Sequence, residues 1–283
     1  MLLCVFAFSA CADEKIVQDA QNGIWQYETE NLKIEITKHS LEKPLLVWFE
    51  VHIWASEENP FIAVLSDYEK PGSWFRNPIW LASTRQYVFA INDDFFGHRL
   101  NMNEVIGAVV RNGQVIGTRT HRNSNHALPN LDTMTLYPEG RMEVNDCAEL
   151  TVDEMMEKGA EHVFSFGPVV IKDGQMNEKL IKYYRNNEPR VVFGFVEPYH
   201  YVVLVAEGRH NRSNGTGLQW VAEKMLEMGA VQALNLDGGQ TSALIFMGEK
   251  LNKTGNYEGA SNMRNVSSMI AFGQSESVPP YDK

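Results

Sequence analysis

The sequence predicts an α+β fold: a mixed, largely antiparallel sheet system with a few covering helices, in a single domain. Three observations predict it. Short apolar runs alternate with polar residues, at the two-residue period of half-buried strands, along most of the chain. Only three segments, near 77–85, 151–159 and 216–228, carry helix signals, so helices cover sheets rather than alternate regularly with strands. A helix, a short buried strand and an acidic turn also occur in that order twice, ending at Asn92-Asp93-Asp94 and at Asp237-Gly238-Gly239. The 283 residues, 44% hydrophobic and 22% charged, suffice for one sizeable core.

The opening residues MLLCVFAFSA are apolar but too short to cross a bilayer, so residues 1–11 read as a signal segment. Phe8-Ser9-Ala10-Cys11 is similar to a bacterial lipoprotein processing site, with Cys11 bearing the lipid. That predicts an exported protein, as a cell-envelope lipoprotein or in the periplasmic or extracellular space, meeting a membrane only through the anchor. Cys147 is then the one cysteine of the mature chain, which excludes an intrachain disulfide framework and makes it a buried hydrophobe. Residues 12–30 are polar and read as a tether, 31–273 as the folded domain and 274–283 as a C-terminal tail.

Within the domain, Leu32, Ile34 and Ile36 alternate with polar residues. In the next run Val47, Phe49, Val51 and Ile53 share one strand face, and Pro44 breaks the two strands apart. Asn77-Pro78 reads as an N-cap and first-turn proline of a helix to about Arg85, followed by a buried strand Gln86–Ile91. Asn112-Gly113 and Glu139-Gly140 mark hairpin corners. Thr151 and Glu154 form a capping box for a helix that Gly159 ends. Strands at Val163–Phe166 and Val169–Lys172 turn at Asp173-Gly174, and Val191–Val196 pairs with Tyr201–Ala206. The strongest helix spans Thr216 to Met228, where Leu218, Val221, Ala222, Met225 and Leu226 line one face. Thr216 with Gln219 predicts its capping box and Gly229 its stop. Val231–Leu236 is the strand that delivers Asp237.

A formal net charge of −11, without a Lys/Arg-rich run, argues against a nucleic-acid partner. The chain has no G-x-S-x-G, no phosphate-binding glycine loop and no C-x-x-C, and His121 and His126 lack metal-ligand spacing. His98 follows the first acidic turn and fits a surface position as well as a substrate contact.

Carboxylates at strand ends carry the remaining chemistry. Asp-Gly is an ordinary turn former, but Asp237 follows a buried strand and precedes Thr241 and Ser242, hydroxyls able to orient it or bind a sugar. The two acidic turns are expected to be neighbours. Asp93 and Asp94, being adjacent, should point to opposite sides, with one facing the pocket. Asp237 with either of them suits the carboxylate pair of glycoside hydrolysis. Alternatively Asp93, Asp94, Glu207 and Asp237 hold a divalent cation through oxygen ligands. Arg190, Arg209 and Arg264 sit beside apolar strands and are the phosphate-binding candidates, since guanidinium matches two phosphate oxygens.

Gly194 through Ser242, with Glu207-Gly208-Arg209, the helix LQWVAEKMLEM and the run GAVQALNLDGGQTS, resembles the core of the phosphodiester glycosidase family. Ala90–Gly97, Pro189-Arg190 and Arg264-Asn265-Val266-Ser267 are similar to its remaining motifs in the same order, from about Leu32 to Phe272. Four positions depart from the pattern: Asp93 and Asp94 replace glycines, Gln240 replaces a glycine, and Glu207 replaces an aspartate. The resemblance implies a hydrolase that cleaves the glycosyl bond of a sugar-1-phosphodiester, such as one carrying N-acetylglucosamine, to free sugar and a phosphomonoester. It implies Asn92, Arg190, Arg209, Gly238, Gly239, Ser242 and Arg264 as substrate contacts and Asp237 with Glu207 as acidic groups; the reading of the residues themselves adds Thr241 as a contact and Asp93 and Asp94 as candidate acids. No cofactor is required, while the added carboxylates leave a divalent cation open. The alternatives are a metal-assisted phosphodiesterase and a surface glycan-binding lipoprotein without turnover. Partners are thus a sugar-phosphate or glycan, and the sequence says nothing of oligomeric state.

Overall fold

Nine strands, each hydrogen-bonded to the next, form the largest layer of this computed structural model, which describes residues 13–66, 75–94, 107–119, 131–178, 180, 187–255 and 263–281. In spatial order they are β1 (Lys15–Asp19), β2 (Ile24–Glu28), β3 (Lys33–Glu42), β4 (Leu45–Trp54), β15 (His200–Ala206), β14 (Arg190–Glu197), β16 (Gln232–Leu236), β12 (Val169–Lys172) and β13 (Gln175–Met176). A second sheet runs β10 (Met142–Asn145), β9 (Asp132–Leu136), β11 (His162–Phe166), β7 (Gly107–Arg111) and β8 (Gln114–Arg119). The third runs β18 (Glu249–Lys250), β17 (Leu244–Phe246), β6 (Tyr87–Asn92), β19 (Ser268–Gln274) and β5 (Ile62–Leu65). Every strand pair among the described residues is antiparallel, and the single parallel contact is an isolated bridge between Gly208 and Thr254.

The strand alternation explains the layering. Ile34, Ile36, Phe49, Val51, Phe193 and Leu234 from the first sheet meet Met134 and Phe164 from the second and Phe89, Phe246 and Phe272 from the third in one buried core. Each sheet's outer face carries a helix among the described residues. Helix α1 (Pro78–Thr84) packs Leu81 and Ala82 on the third sheet, α2 (Val152–Glu157) packs Val152 and Met155 on the second, and α3 (Leu218–Glu227) packs Leu218, Val221, Ala222 and Met225 on the first. Asn77 caps α1 by accepting from the Ile79 and Trp80 amides, and Thr151 with Glu154 closes the expected capping box of α2.

Two elements differ from the sequence reading. The capping box at Thr216 does not form: Thr216 exchanges backbone hydrogen bonds with Glu188 and so stays extended, and α3 starts one residue later from Gly217 without a side-chain cap. The expected tether and tail are also folded. Residues 15–28 make the β1–β2 hairpin, whose Trp25 and Tyr27 alternate into the core while β1 keeps the polar composition of an edge strand. Glu14 accepts hydrogen bonds from Tyr27, Ser275 and Ser277, and Val278 joins the core, so the chain's two ends fasten each other. Cys147 is buried and reduced, as expected. The signal segment with Cys11, and His98, His121 and His126, lie outside the described residues.

Candidate active site

The two acidic turns are neighbours, and Asn92 joins them. Its side-chain carbonyl accepts from the Ala243 amide at 2.9 Å, and its amide donates to the Asp237 backbone carbonyl at 2.7 Å. The Asp237 amide in turn donates to the Asp93 carbonyl at 3.1 Å. Asn92 ends β6 in the third sheet, whereas Asp237 follows β16 in the first. One fully buried amide side chain thus fixes the seam between two sheets. Asn92 is a clamp holding the turn, where the resemblance implied a substrate contact.

Around Asp237 the backbone segments approach to distances only glycine permits. A Cβ on Gly238 would lie 2.5 Å from the Pro189 carbonyl oxygen, one on Gly215 would lie 2.5 Å from the Glu188 backbone, and one on Gly208 would meet Gly215 and Pro189 at 2.9 and 3.0 Å. Gly239 has φ +60, donates its amide to the Pro189 carbonyl at 3.2 Å, and lies under the Arg209 guanidinium, 3.1 Å from where a Cβ would sit. Pro189-Arg190, Gly208-Arg209 and Asp237-Gly238-Gly239, separate motifs in sequence, therefore converge on one spot. Arg209 is half-buried with its Nε donating to Glu188 at 2.7 Å, and Arg190 donates its Nε to the Thr216 carbonyl at 3.2 Å. Arg264 is exposed and donates its backbone amide to the Gln240 carbonyl, which brings its charge beside Asp237.

Asp237 itself is half-buried as a residue. Desolvation by the packed turn pushes its carboxyl up to about 6; Thr241, the Arg264 charge and the Gly238 amide pull the other way, and Asp93 adds a further push upward. The Thr241 hydroxyl lies near enough to favour the charged form without making a well-aligned hydrogen bond. Ser242 is fully buried; its carbonyl accepts from Asn252, and among the described residues its hydroxyl has no hydrogen-bond partner.

Three of the expected acidic groups are committed elsewhere. Asp93 and Asp94 do not point to opposite sides, because the chain has already left β6. Both carboxylates reach one nitrogen of Arg111, at 3.2 and 3.1 Å, and Asp94 also accepts from the Ser165 amide. Arg111 is fully buried, donates to the Val110 and Val163 carbonyls, and lies 3.7 Å over the Phe164 ring. Glu207 is buried too: one oxygen accepts from the Lys253 amide at 2.6 Å and the other lies 3.1 Å from His210 Nε2. It pins the loop 250–254 against residues 207–210, where the sequence suggested an acid or a metal ligand. Asp93, Asp94, Glu207 and Asp237 consequently do not fit a shared cation. Among the described residues, the group of three potential ligands within 4.8 Å of one another is Asp132, Asp146 and Cys147, where Asp132 already accepts from the Cys147 and Val169 amides.

Sequence reasoning missed Arg111 and Glu188. The available signal for Arg111 was an arginine closing the apolar strand GAVVR directly before the Asn112-Gly113 corner. Its reach to Asp93 and Asp94, 18 and 17 residues away, is a tertiary fact.

Three antiparallel sheets around one core, with an aspartate-glycine turn at their seam and arginines about it, define a class of catalytic-domain fold. It is similar to the zebrafish N-acetylglucosamine-1-phosphodiester alpha-N-acetylglucosaminidase catalytic domain auto-inhibited by its pro-peptide, at TM-score 0.65 and 13% identity over 86% of this chain and 83% of that one. A hypothetical protein from Synechocystis matches at TM-score 0.56 and 13% identity, over 93% and 64% of the two chains. A putative exported protein from Burkholderia pseudomallei K96243 matches at 0.55 and 11%, over 80% and 74%. The phosphodiester glycosidase family profile matches residues 85–273, and the chain belongs to that family. Among curated proteins, the SPbeta prophage-derived uncharacterized protein YomE of Bacillus subtilis (strain 168) is 26% identical over 175 residues. That match is 61% of this chain and about a quarter, 26%, of the relative's length.

Proposed function

We propose that this protein hydrolyses the glycosyl bond of a sugar-1-phosphodiester, with an N-acetylglucosamine-like sugar, to give free sugar and a phosphomonoester. The observation that carries the reading is the packing of Arg190 and Arg209 against the Gly238-Gly239 turn that holds Asp237, with the Arg264 charge acting on its carboxylate. Cleavage breaks the bond from the glycosyl carbon to the phosphate oxygen, and a water oxygen takes its place. The departing phosphate keeps the electron pair, and arginines stabilise it as negative charge develops. Ionised Asp237 opposes the positive charge that builds on the sugar ring.

Glycoside hydrolysis ordinarily uses two carboxyl groups, one of them an acid for the leaving oxygen. Asp93, Asp94 and Glu207 are held by Arg111, His210 and backbone amides, so none of them supplies that acid. A phosphate leaves without full protonation, and this makes a phosphodiester a better match than an ordinary glycoside. The test is hydrolysis of N-acetylglucosamine-1-phosphodiesters in heavy-oxygen water. Label in the sugar supports the proposal, label in the phosphate replaces it with phosphodiesterase chemistry, and binding without hydrolysis replaces it with a glycan-binding role.

The proposal extends to location: export, with Cys11 lipidated. Its support is the lipoprotein-like run Phe8-Ser9-Ala10-Cys11. Cys11→Ala should move the protein from the membrane fraction to the soluble one.

A further inference from the structure

We propose that His52 and His200 form a binding site for a divalent transition-metal ion of the zinc type, on the outer face of the nine-stranded sheet and apart from the Asp237 site. His52 lies on β4 and His200 begins β15; the register pairs His200 with Trp54 and His52 with Val202, so the two imidazoles are diagonal neighbours on one face. Nδ1 of His52 and Nε2 of His200 are 3.3 Å apart. Two nitrogens bound to tetrahedral zinc at about 2.0–2.1 Å are separated by about 3.3–3.4 Å. A small rotation of both rings therefore turns their lone pairs from each other onto a common point.

The rings are held for this. Trp54 stacks on His200 at 4.8 Å and 22°, and on His52 at 5.5 Å and 18°. Burial pushes both histidines below the usual range, so both are neutral, the ligand form, at neutral pH. The charged groups around them favour a cation: Glu35, directly opposite His52 on β3, with Glu50 and Glu197. Lys33 opposes them, but it is paired with Glu35 at 2.8 Å and lies over Trp54. The proton now shared between the two nitrogens moves to the outer nitrogen of its own ring when the ion binds, so neutral rings release no net proton. Two imidazoles leave the ion's other positions to water, with Glu35 contributing charge rather than a ligand atom. Strand β15 separates this site from Glu207 by seven residues, roughly 20 Å, so the ion would tie β4 and β15 together without touching Asp237.

The experiment is calorimetric titration of the chelator-stripped full chain with Zn2+, with ring-nitrogen NMR on the same samples. The expected result is one saturable ion per chain, a zinc-dependent rise in Tm, and shifts of the His52 and His200 ring nitrogens with His162 unmoved. His52→Ala and His200→Ala should each weaken binding about tenfold or more, and Glu35→Gln less. Absence of saturable binding to the wild-type chain overturns the proposal. So does equal binding by the double variant, which would assign the ion to another place such as Asp132, Asp146 and Cys147.

Discussion

The turn after β6 and the turn after β16 have the same sequence plan and opposite electrostatics. Both follow a helix and a buried strand, both present aspartate, and Asn92 ties them together. At the first, a fully buried arginine from a different sheet pairs with both Asp93 and Asp94. At the second, desolvation outweighs the exposed Arg264 charge, Thr241 and the Gly238 amide, and the Asp237 carboxyl sits at about 6. Charge patterning along the chain cannot separate Asp93 and Asp94, which share a buried arginine, from Asp237, whose carboxyl is pushed upward. The partner that arrives through tertiary packing does.

Removing that partner should break the comparison most visibly. Arg111→Met leaves two buried carboxylates facing each other, and the expected loss is about 3–5 kcal/mol of stability, read by denaturant unfolding. Adding Asp93→Asn and Asp94→Asn to Arg111→Met should recover much of it; no recovery would mean that Arg111 acts through packing on Phe164 instead. Next in size is the fit of the second turn. Gly238→Ala places a methyl 2.5 Å from the Pro189 carbonyl, at an expected cost of about 1–3 kcal/mol and with loss of turnover, because Arg190 and Asp237 are moved apart. Smaller still is a linkage effect. Asp237 binds its proton more tightly folded than unfolded, so its contribution to stability is full below about pH 4 and is lost as pH rises through about 6. Asp237→Asn should therefore be more stable than wild type above pH 6, on the order of 1 kcal/mol, and should flatten that slope in thermal melts.

Much of the fold was legible because local chemistry dictates it. The period-two alternation of β3 and β4, the capping box at Thr151 and the glycine corners at 113, 140 and 174 are each settled within a few residues. Thr216 shows the limit: its side chain suits a cap, but a strand-like bridge to Glu188 claims its backbone first. The polar hairpin 15–28 was unreadable for a related reason, since an edge strand needs apolar residues on one face only. The members of the candidate site were legible one by one, as Asp237, Arg190, Arg209, Arg264 and the glycines. Their division of labour was not, because it depends on Arg111, His210 and Lys253, which no local pattern connects to the acidic turns.

The central claim is that Asp237 reacts while Asp93 supports. It is tested most directly by measuring turnover of an N-acetylglucosamine-1-phosphodiester by purified, folded Asp237→Asn and Asp93→Asn. The account predicts a loss of roughly 10³-fold for Asp237→Asn, and for Asp93→Asn reduced stability with turnover within about tenfold of wild type. Near-normal turnover by Asp237→Asn together with an inactive but folded Asp93→Asn would contradict it.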